Sequence, residues 1–225
     1  YGVVPVENST EGMVTHTLDS FVTSGLNICG EVLLRIGQNL MSHATALADI
    51  RCVYSHSQSL AQCRSWLAEN LPQADVVMVG SNGEAAKLAA SEPDAAAIAG
   101  KMAAELYGVP VRFPHIEDDS NNTTRFLVIG QQESGISGSD KTTILVSSQN
   151  RPGLLYQLLD PIGRHGINMT RIESRPSRRG MWEYVFFIDL EGHRDEPPMR
   201  VLLDEIRDRA SLFRILGSYP QAVLQ

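Results

Sequence analysis

The sequence contains little cysteine and no pattern of metal-binding residues. Cys29, Cys52 and Cys63 are an odd number with no CxxC or zinc-type spacing, and the six histidines form no HxxxH pair. A disulfide framework or a zinc site would need such patterns. We therefore expect reduced thiols, a cytoplasmic protein, and neither a metal site nor a cofactor.

Positive charge and long apolar runs are also scarce. Lysine and arginine together number 19 against 26 aspartates and glutamates, which gives a formal net charge of −7. This balance argues against a broad surface for nucleic acid, so any bound anion must be held by a local cluster of donors. No apolar run approaches the roughly 20 residues of a membrane span. We expect neither nucleic acid nor membrane as a partner.

The composition is that of a soluble globular protein. The 225 residues are 43% hydrophobic and 20% charged, enough for one large domain or two ordinary ones. The first residue is Tyr1 rather than Met, and residues 1–6 resemble the interior of a strand. We expect that further sequence precedes Tyr1.

Strands and helices alternate in the first half of the sequence. This alternation predicts an α/β domain with a largely parallel sheet. The predicted strands are residues 1–6, 27–36, 51–54, 75–79, 95–98 and 109–113. The predicted helices are residues 14–21, 57–71, 82–91 and 100–107, the third of them after a capping box of Ser81 and Glu84.

A second domain is predicted after a strand at residues 126–129. Residues 131–140 are rich in glycine and serine and indicate a linker between domains at 1–130 and 141–225. Strands are then predicted at residues 142–147, 167–174, 182–190 and 213–217, and helices at 152–165 and 198–210. This βαββαβ order is typical of a ferredoxin-like fold.

Polar clusters lie where predicted strands begin or end. Asn8 follows the first strand, residues 55–58 follow the third, and Asn121–Arg125 precede the strand at 126–129. Open α/β sheets present ligand-binding groups at such positions. Simpler interpretations stay open at this point. Residues 121–124 also suit a polar loop with an Asx turn, and residues 55–58 suit a helix N-cap beside a surface histidine.

Several short strings in this sequence occur together, in order and spacing, in one known family. They are residues 1–9 (YGVVPVENS), 53–58 (VYSHSQ), 97–99 (AIA) and 122–126 (NTTRF). In the tail they are residues 150–156 (NRPGLLY), 166–168 (GIN), 172–176 (IESRP), 182–184 (WEY) and 217–220 (GSYP). The first set resembles the prephenate dehydratase family, and the second resembles the ACT regulatory domain fused to it.

The resemblance implies a type II periplasmic-binding-protein-like catalytic domain of two lobes, followed by the ferredoxin-like ACT domain. The sequence departs from the family in two places. Ser57 stands where the family usually has proline, a change that keeps the start of the helix. The front of the first lobe is absent from the sequence, so the catalytic domain is N-terminally truncated. Residues 1–6 and 126–129 would be the remaining strands of that lobe.

The reaction implied by the resemblance removes carbon dioxide and water from prephenate and gives phenylpyruvate, the precursor of phenylalanine. Aromatisation drives it, so no redox cofactor or metal is required. Thr124 matches the catalytic position of the family and would assist the departing hydroxyl by a hydrogen bond. The positions expected to bind substrate are Asn8, Ser55, His56, Gln58 and Arg125.

The role of Arg125 stays open at the level of sequence. Its guanidinium could hold a substrate carboxylate. It could equally form a structural ion pair with Asp118 or Asp119, a few residues earlier in the chain. Phe126, which ends the same string, is expected in the core.

The resemblance also implies that the ACT domain senses phenylalanine in a pocket between two copies, and hence a homodimer or homotetramer. Helix-start amides suit the carboxylate of the amino acid. The expected effector positions are Asn150, Pro152, Gly153, Leu154, Leu155, Asn168, Glu173, Ser174, Arg175 and Pro176.

Two other functions stay compatible with the sequence. A non-catalytic module that senses an amino acid would fit a chain lacking much of one lobe. An arogenate dehydratase would differ only in its substrate. Whether a chorismate mutase domain precedes Tyr1 is a further open question.

Overall fold

A computed structural model describes residues 1–148, 151–177 and 184–223. The chain forms two compact units, one of residues 1–34 with 124–225 and the other of residues 35–123. The predicted domain boundaries at 130 and 141 stay a prediction. The contact pattern divides the chain differently, since it places residues 1–34 in the same unit as the C-terminal region.

The strands described are β1 (Gly2–Asn8), β2 (Gly12–Met13), β3 (Asn27–Arg35), β4 (Asn39–Ser42), β5 (Cys52–Ser55), β6 (Asp75–Met78), β7 (Ala95–Ala99), β8 (Val111–Phe113), β9 (Thr123–Gly130), β10 (Asp140–Ser147), β11 (Met169–Pro176), β12 (Tyr184–Glu191) and β13 (Leu212–Pro220). The helices are α1 (Thr15–Thr23), α2 (Ser57–Gln62), α3 (Arg64–Asn70), α4 (Asn82–Ser91), α5 (Lys101–Tyr107), α6 (Leu154–Arg164) and α7 (Pro197–Arg209). No helix among the described residues has the length and apolar character needed to cross a bilayer.

The unit of residues 35–123 contains a mixed five-stranded sheet in the order β6-β5-β7-β4-β8. Strand β5 runs parallel to β6 and β7, whereas β4 runs antiparallel to β7 and β8. Because β4 is antiparallel to both of its neighbours, the other four strands all run in one direction. The sheet of this unit is therefore largely parallel, as expected, with β4 as its one reversed strand. The missed strand is β4, whose four residues are all buried. It is short and carries polar residues at both ends, so it lacks the periodicity that identifies a strand.

The single helix expected over residues 57–71 is two helices. Cys63 interrupts them with φ −118° and ψ 18°. The carboxylate of Asp118 accepts hydrogen bonds from the backbone N–H groups of Ser65 and Trp66, which caps the start of α3 from a distant part of the chain. Burial raises the pKa of the Cys63 thiol to about 12, consistent with an inert packing residue.

The other unit contains two four-stranded sheets. The first has the order β2-β1-β9-β3. Strands β1 and β9 were expected from the sequence as the remaining strands of one lobe, and β3 is an additional member. Antiparallel pairing of β1 with β9 places Glu7 opposite Arg125 and Asn8 opposite Thr124.

The second sheet of this unit has the antiparallel order β11-β12-β10-β13, with α6 and α7 completing a βαββαβ fold. This confirms the predicted ferredoxin-like order. One apolar cluster joins the helices to the sheet through residues such as Leu158 and Leu202. A second cluster joins this sheet to the first one, and includes Val6, Ile28 and Phe187.

The two sheets approach each other closely at Gly217 of β13. A Cβ atom at this position would lie 2.1 Å from the carbonyl oxygen of Ile28. Nearby, the Arg214 guanidinium donates to the carbonyl oxygens of Val22 and Ser24 at the end of α1, at 2.9 and 2.6 Å. A cation is favourable at a helix C-terminus, so this contact reinforces the same interface.

We predict that Gly217→Ala lowers the free energy of unfolding by about 1–3 kcal/mol, because the new methyl group collides with backbone atoms that cannot rotate away. Urea denaturation measures the change. Gly163→Ala in α6 is the matched control, since its added Cβ would have no described atom within 4 Å apart from its chain neighbours and its own helix backbone. Equal stability of the two variants would show that the sheets do not pack this closely.

Candidate functional site

Asn8 and Thr124 face each other across the β1–β9 pair. The Asn8 side-chain nitrogen donates to the Thr124 hydroxyl oxygen at 2.9 Å. Each residue is only 9% exposed. The strand register, rather than a flexible loop, therefore holds the amide against the hydroxyl.

The surrounding hydrogen bonds fix the orientation of the Asn8 amide. Its oxygen accepts from the backbone N–H groups of Thr10 and Glu11, each at 3.0 Å. Backbone N–H groups only donate, so the oxygen must face them and the NH2 group must face Thr124. The Thr124 oxygen therefore acts as an acceptor toward Asn8, which leaves its own proton available to a different acceptor. This arrangement makes Thr124 an oriented hydrogen-bond donor.

Arg125, the next residue along β9, points into the protein and is 8% exposed. Its Nε donates to Glu31 at 2.7 Å, its Nη1 to Asp189 at 2.6 Å and its Nη2 to the Tyr219 hydroxyl at 3.1 Å. The expected partners Asp118 and Asp119 are wrong. The expectation that Arg125 binds substrate stays a prediction, and in this structure its guanidinium is hydrogen-bonded to buried protein groups.

The cluster around Arg125 continues into the C-terminal sheet. Lys141 pairs with Glu31 at 2.7 Å, and the Thr143 hydroxyl donates to Asp189 at 2.7 Å. Burial works to lower the pKa of Arg125, but the charges of Asp189 and Glu31 outweigh it and raise that pKa above its ordinary value. The guanidinium therefore stays charged. Removing one member of such a buried pair typically costs about 3–5 kcal/mol, because the other charge is left without compensation.

In the unit of residues 35–123, Ser55 closes β5 and is completely buried. Its hydroxyl lies 2.7 Å from the Ile98 carbonyl oxygen and 3.0 Å from the Asn82 Oδ1. The expected substrate contact of Ser55 stays a prediction, and in this structure the hydroxyl bonds within the protein. The His56 Nδ1 accepts from the Gln58 backbone N–H at 3.3 Å, so the histidine is the N-cap of α2. The Gln58 side chain is exposed, and its role stays a prediction.

Asn82 organises this turn and was not found by sequence analysis. Its Oδ1 accepts from the His56 backbone N–H at 3.1 Å, and its Nδ2 donates to the Ser59 hydroxyl at 2.8 Å. The only signal in the sequence was the capping box, which the structure shows as a bond of 3.1 Å from the Glu84 N–H to the Ser81 hydroxyl. That box positions the start of α4, and with it Asn82, against the Ser55–Ser59 turn.

A cavity of about 310 Å³ lies at the start of α6. It contains Gly153, Leu154 and Leu155 of the expected effector positions. The rest of its lining is Ser148, Arg151, Tyr156, Tyr184 and Phe186. Gly153 has φ 77°, a conformation that favours glycine, and it begins the helix.

The other expected effector positions lie elsewhere. Residues 173–176 are in β11, an edge strand of the C-terminal sheet, and neither they nor Asn168 line this cavity. Pro152 precedes the helix and is exposed, while Asn150 lies outside the described residues. Arg175 pairs with Asp19 of α1 at 3.1 Å. Within one copy of the chain, this cavity therefore contains only those expected effector positions that lie at the start of α6.

Among residues 1–148, 151–177 and 184–223, no group of three His, Cys, Asp or Glu residues is arranged to hold a metal ion. The acidic side chains near the candidate site instead accept hydrogen bonds from protein groups, as Glu31 and Asp189 do.

Comparison with known families assigns both parts of the chain. A family model described as prephenate dehydratase matches residues 1–134. The chain belongs to the prephenate dehydratase family. A second model, described as ACT domain, matches residues 142–207. The ferredoxin-like fold at the C-terminus is thus an ACT domain, which we call by that name below.

Individual members of the prephenate dehydratase family are similar over the whole chain. A bifunctional chorismate mutase/prephenate dehydratase of Pseudomonas aeruginosa is 54% identical over 225 residues, which are 100% of this chain and 62% of that protein. The chain thus spans less than two thirds of that relative. The crystal structure of a prephenate dehydratase in complex with L-Phe from Arthrobacter aurescens is 36% identical, with a TM-score of 0.86 over 97% of this chain and 74% of that one.

A further solved structure of the same fold has a different activity in its name. It is GqqA, described as a novel type of quorum quenching acylase, with 31% identity and a TM-score of 0.86 over 97% of this chain and 81% of that one. Function within this fold therefore has to be argued from the residues of the site.

We predict that Asn82→Ala loosens the Ser55–Ser59 turn and lowers the free energy of unfolding by about 1–3 kcal/mol, because buried donors and an acceptor lose their partner. Hydrogen exchange at the His56 amide should become faster. Asn70→Ala is the control, since the Asn70 side chain donates to the Trp66 carbonyl oxygen within its own helix and takes no part in the turn. If His56 exchanges at the same rate in Asn82→Ala as in the unmodified protein, Asn82 does not hold the turn.

Proposed function

We propose that the protein is a prephenate dehydratase, which converts prephenate to phenylpyruvate with loss of carbon dioxide and water. Membership of the family supports this activity. The observation that carries the proposal is the Asn8–Thr124 pair, in which the hydroxyl accepts from Asn8 and its own proton is left available to a different acceptor.

The reaction needs one group to assist a departing hydroxyl. The bond from the ring to the carboxylate breaks and releases carbon dioxide, and its electron pair enters the ring. The bond from the opposite ring carbon to its hydroxyl then breaks, and the departing oxygen takes up a proton to leave as water. The ring becomes aromatic, which drives both steps.

Thr124 is suited to this assistance by geometry rather than by acidity. An alcohol is a weak acid, so it stabilises the negative charge that develops on the departing oxygen by a hydrogen bond, while the proton comes finally from solvent. A donor oriented in advance does not have to reorganise when that charge appears. In this proposal Asn8 is a positioning residue, and it acts through the Thr124 hydroxyl.

We predict that Thr124→Ala lowers kcat about 100- to 1000-fold, the usual effect of losing one oriented donor. Asn8→Asp should also lower kcat, because a carboxylate would accept the Thr124 proton and leave none for the departing hydroxyl. Conversion of prephenate to phenylpyruvate by the full-length protein is followed by absorbance, and folding is checked by circular dichroism.

Thr17→Ala is the matched control for these variants, since its hydroxyl donates to the Pro5 carbonyl oxygen in the same unit and not to a residue of the candidate site. It should retain full activity. Near-normal kcat in Thr124→Ala would remove Thr124 from the mechanism. Near-normal kcat in Asn8→Asp would contradict the proposed direction of the hydroxyl proton.

We also propose that L-phenylalanine regulates the enzyme through the ACT domain, and that two or four copies assemble with their ACT domains paired. The solved relative with bound L-Phe supports this effector. So does the cavity at the start of α6, whose helix N-terminus suits a carboxylate and whose Leu154 and Leu155 suit an apolar side chain. The edge strand β11 carries the remaining expected positions and offers unpaired backbone groups to a second copy.

We predict that Leu155→Glu weakens L-phenylalanine binding by at least about tenfold, because a carboxylate in the cavity repels the carboxylate of the ligand. Titration calorimetry measures the affinity. Val201→Glu introduces the same change on the exposed side of α7, away from the cavity lining, and should bind normally. Equal affinity of both variants would place the effector elsewhere.

A further inference from the structure

Register shifts in three different strand pairs lie beside the Arg125 cluster. The β1–β9 shift lies between Pro5 and Glu7, and the β10–β13 shift lies between Thr143 and Ile144. The β11–β12 shift lies between Met169 and Arg171. A bulge bends a strand and re-aims its side chains, and bulges are frequent next to functional sites. Residues next to these shifts, namely Glu7, Thr143 and Arg171, contact the cluster or one of its members.

Asp189 is the carboxylate on which two arginines converge. It is 1% exposed. Its Oδ2 lies 2.6 Å from the Arg125 Nη1 and 3.8 Å from the Arg171 Nη1. Arg171 also lies 3.6 Å from Glu7 of β1. The buried carboxylate is therefore shared unequally, with the tighter contact to Arg125 of β9 and the looser one to Arg171 of β11.

The two arginines belong to strands with different expected tasks. Arg125 is adjacent to Thr124 in β9, and Arg171 lies two residues before Glu173 in the strand of the expected effector positions. A buried carboxylate needs a cation close by, because no water replaces a lost partner. Movement of β11 that draws Arg171 closer to Asp189, or takes it away, must therefore change the hold of Asp189 on Arg125.

We propose that Arg125 is a positioning residue through which the ACT domain controls Thr124. Pairing with Asp189 and Tyr219 fixes β9, and so fixes the Thr124 hydroxyl against Asn8. L-Phenylalanine bound along β11 shifts Arg171 and redistributes the Asp189 carboxylate between the two arginines. This inference rests on the proposed function for the identity of the reaction and of the effector.

A purely structural ion cluster would behave differently. Its loss would lower stability. It would not leave the affinity for the effector intact while abolishing the change in rate that the effector causes. The inferred coupling predicts that separation, because β11 carries part of the expected effector positions whereas the responding group is on β9. The two strands lie in different sheets of the same unit, and Asp189 of β12 connects them.

The test uses the full-length protein with Asp189→Asn, which removes the shared charge, and Tyr219→Phe, which removes only one hydroxyl. Glu205→Gln is the matched control. It breaks an ion pair with Arg164 and Arg209 on the helical side of the ACT domain. For each protein, calorimetry gives the L-phenylalanine affinity, and kcat and KM are measured with and without L-phenylalanine. Hydrogen exchange of the β9 segment is measured in the same two states.

Effector coupling typically changes an affinity or rate about 5- to 150-fold. We expect Asp189→Asn to bind L-phenylalanine nearly as well as the unmodified protein but to lose most of the response in rate, with kcat altered more than KM. The effect of L-phenylalanine on hydrogen exchange in β9 should disappear with it. Tyr219→Phe should show a weaker form of the same loss, and Glu205→Gln should show none.

A full response to L-phenylalanine in folded Asp189→Asn or Tyr219→Phe would overturn the proposal. Tyr219→Phe decides the matter if Asp189→Asn does not fold. An unmodified protein that turns over prephenate but ignores L-phenylalanine would also overturn it, while leaving the proposed activity intact. An unmodified protein that turns over no prephenate would refute the proposed function, and the hydrogen-exchange response of β9 would still decide the coupling.

Discussion

The guanidinium of Arg125 bridges two buried carboxylates, Glu31 of β3 and Asp189 of β12. Around this contact the first sheet and the ACT sheet pack as one unit, with apolar side chains on both sides and Gly217 allowing close approach. An isolated charge cannot be left in such a place, because its desolvation would be uncompensated. The requirement that Arg125 be paired therefore constrains the position of β9, and hence of the adjacent Thr124.

The candidate catalytic group depends on a second constraint, which is the direction of one proton. The Asn8 amide is oriented by two backbone N–H groups in the loop after β1, and its NH2 group in turn occupies the acceptor side of the Thr124 hydroxyl. A chain of three groups thus converts a weak alcohol into a donor of defined direction. Such orientation in advance is the contribution that a protein can make to a reaction driven by aromatisation.

The spacing of apolar residues predicted the ferredoxin-like order and most helices, because an amphipathic helix or strand can be recognised from a short stretch of sequence. It missed β4, which is short and buried on both faces, and the break at Cys63, which a distant carboxylate at Asp118 stabilises. The family motifs predicted Asn8 and Thr124 as site residues. They could not identify the buried partners of Arg125 and Ser55, because the partners of Arg125 are 64 and 94 residues away in the chain, and burial of Ser55 is a tertiary property.

The most direct test of the role of Arg125 is the NMR signal of its own side-chain Nε–H group in the full-length protein. A bond of 2.7 Å to buried Glu31 should protect that proton from exchange with solvent. We expect a slowly exchanging Nε–H resonance of Arg125 that shifts when L-phenylalanine is added. A rapidly exchanging resonance, or a protected one that L-phenylalanine leaves unchanged, would contradict it.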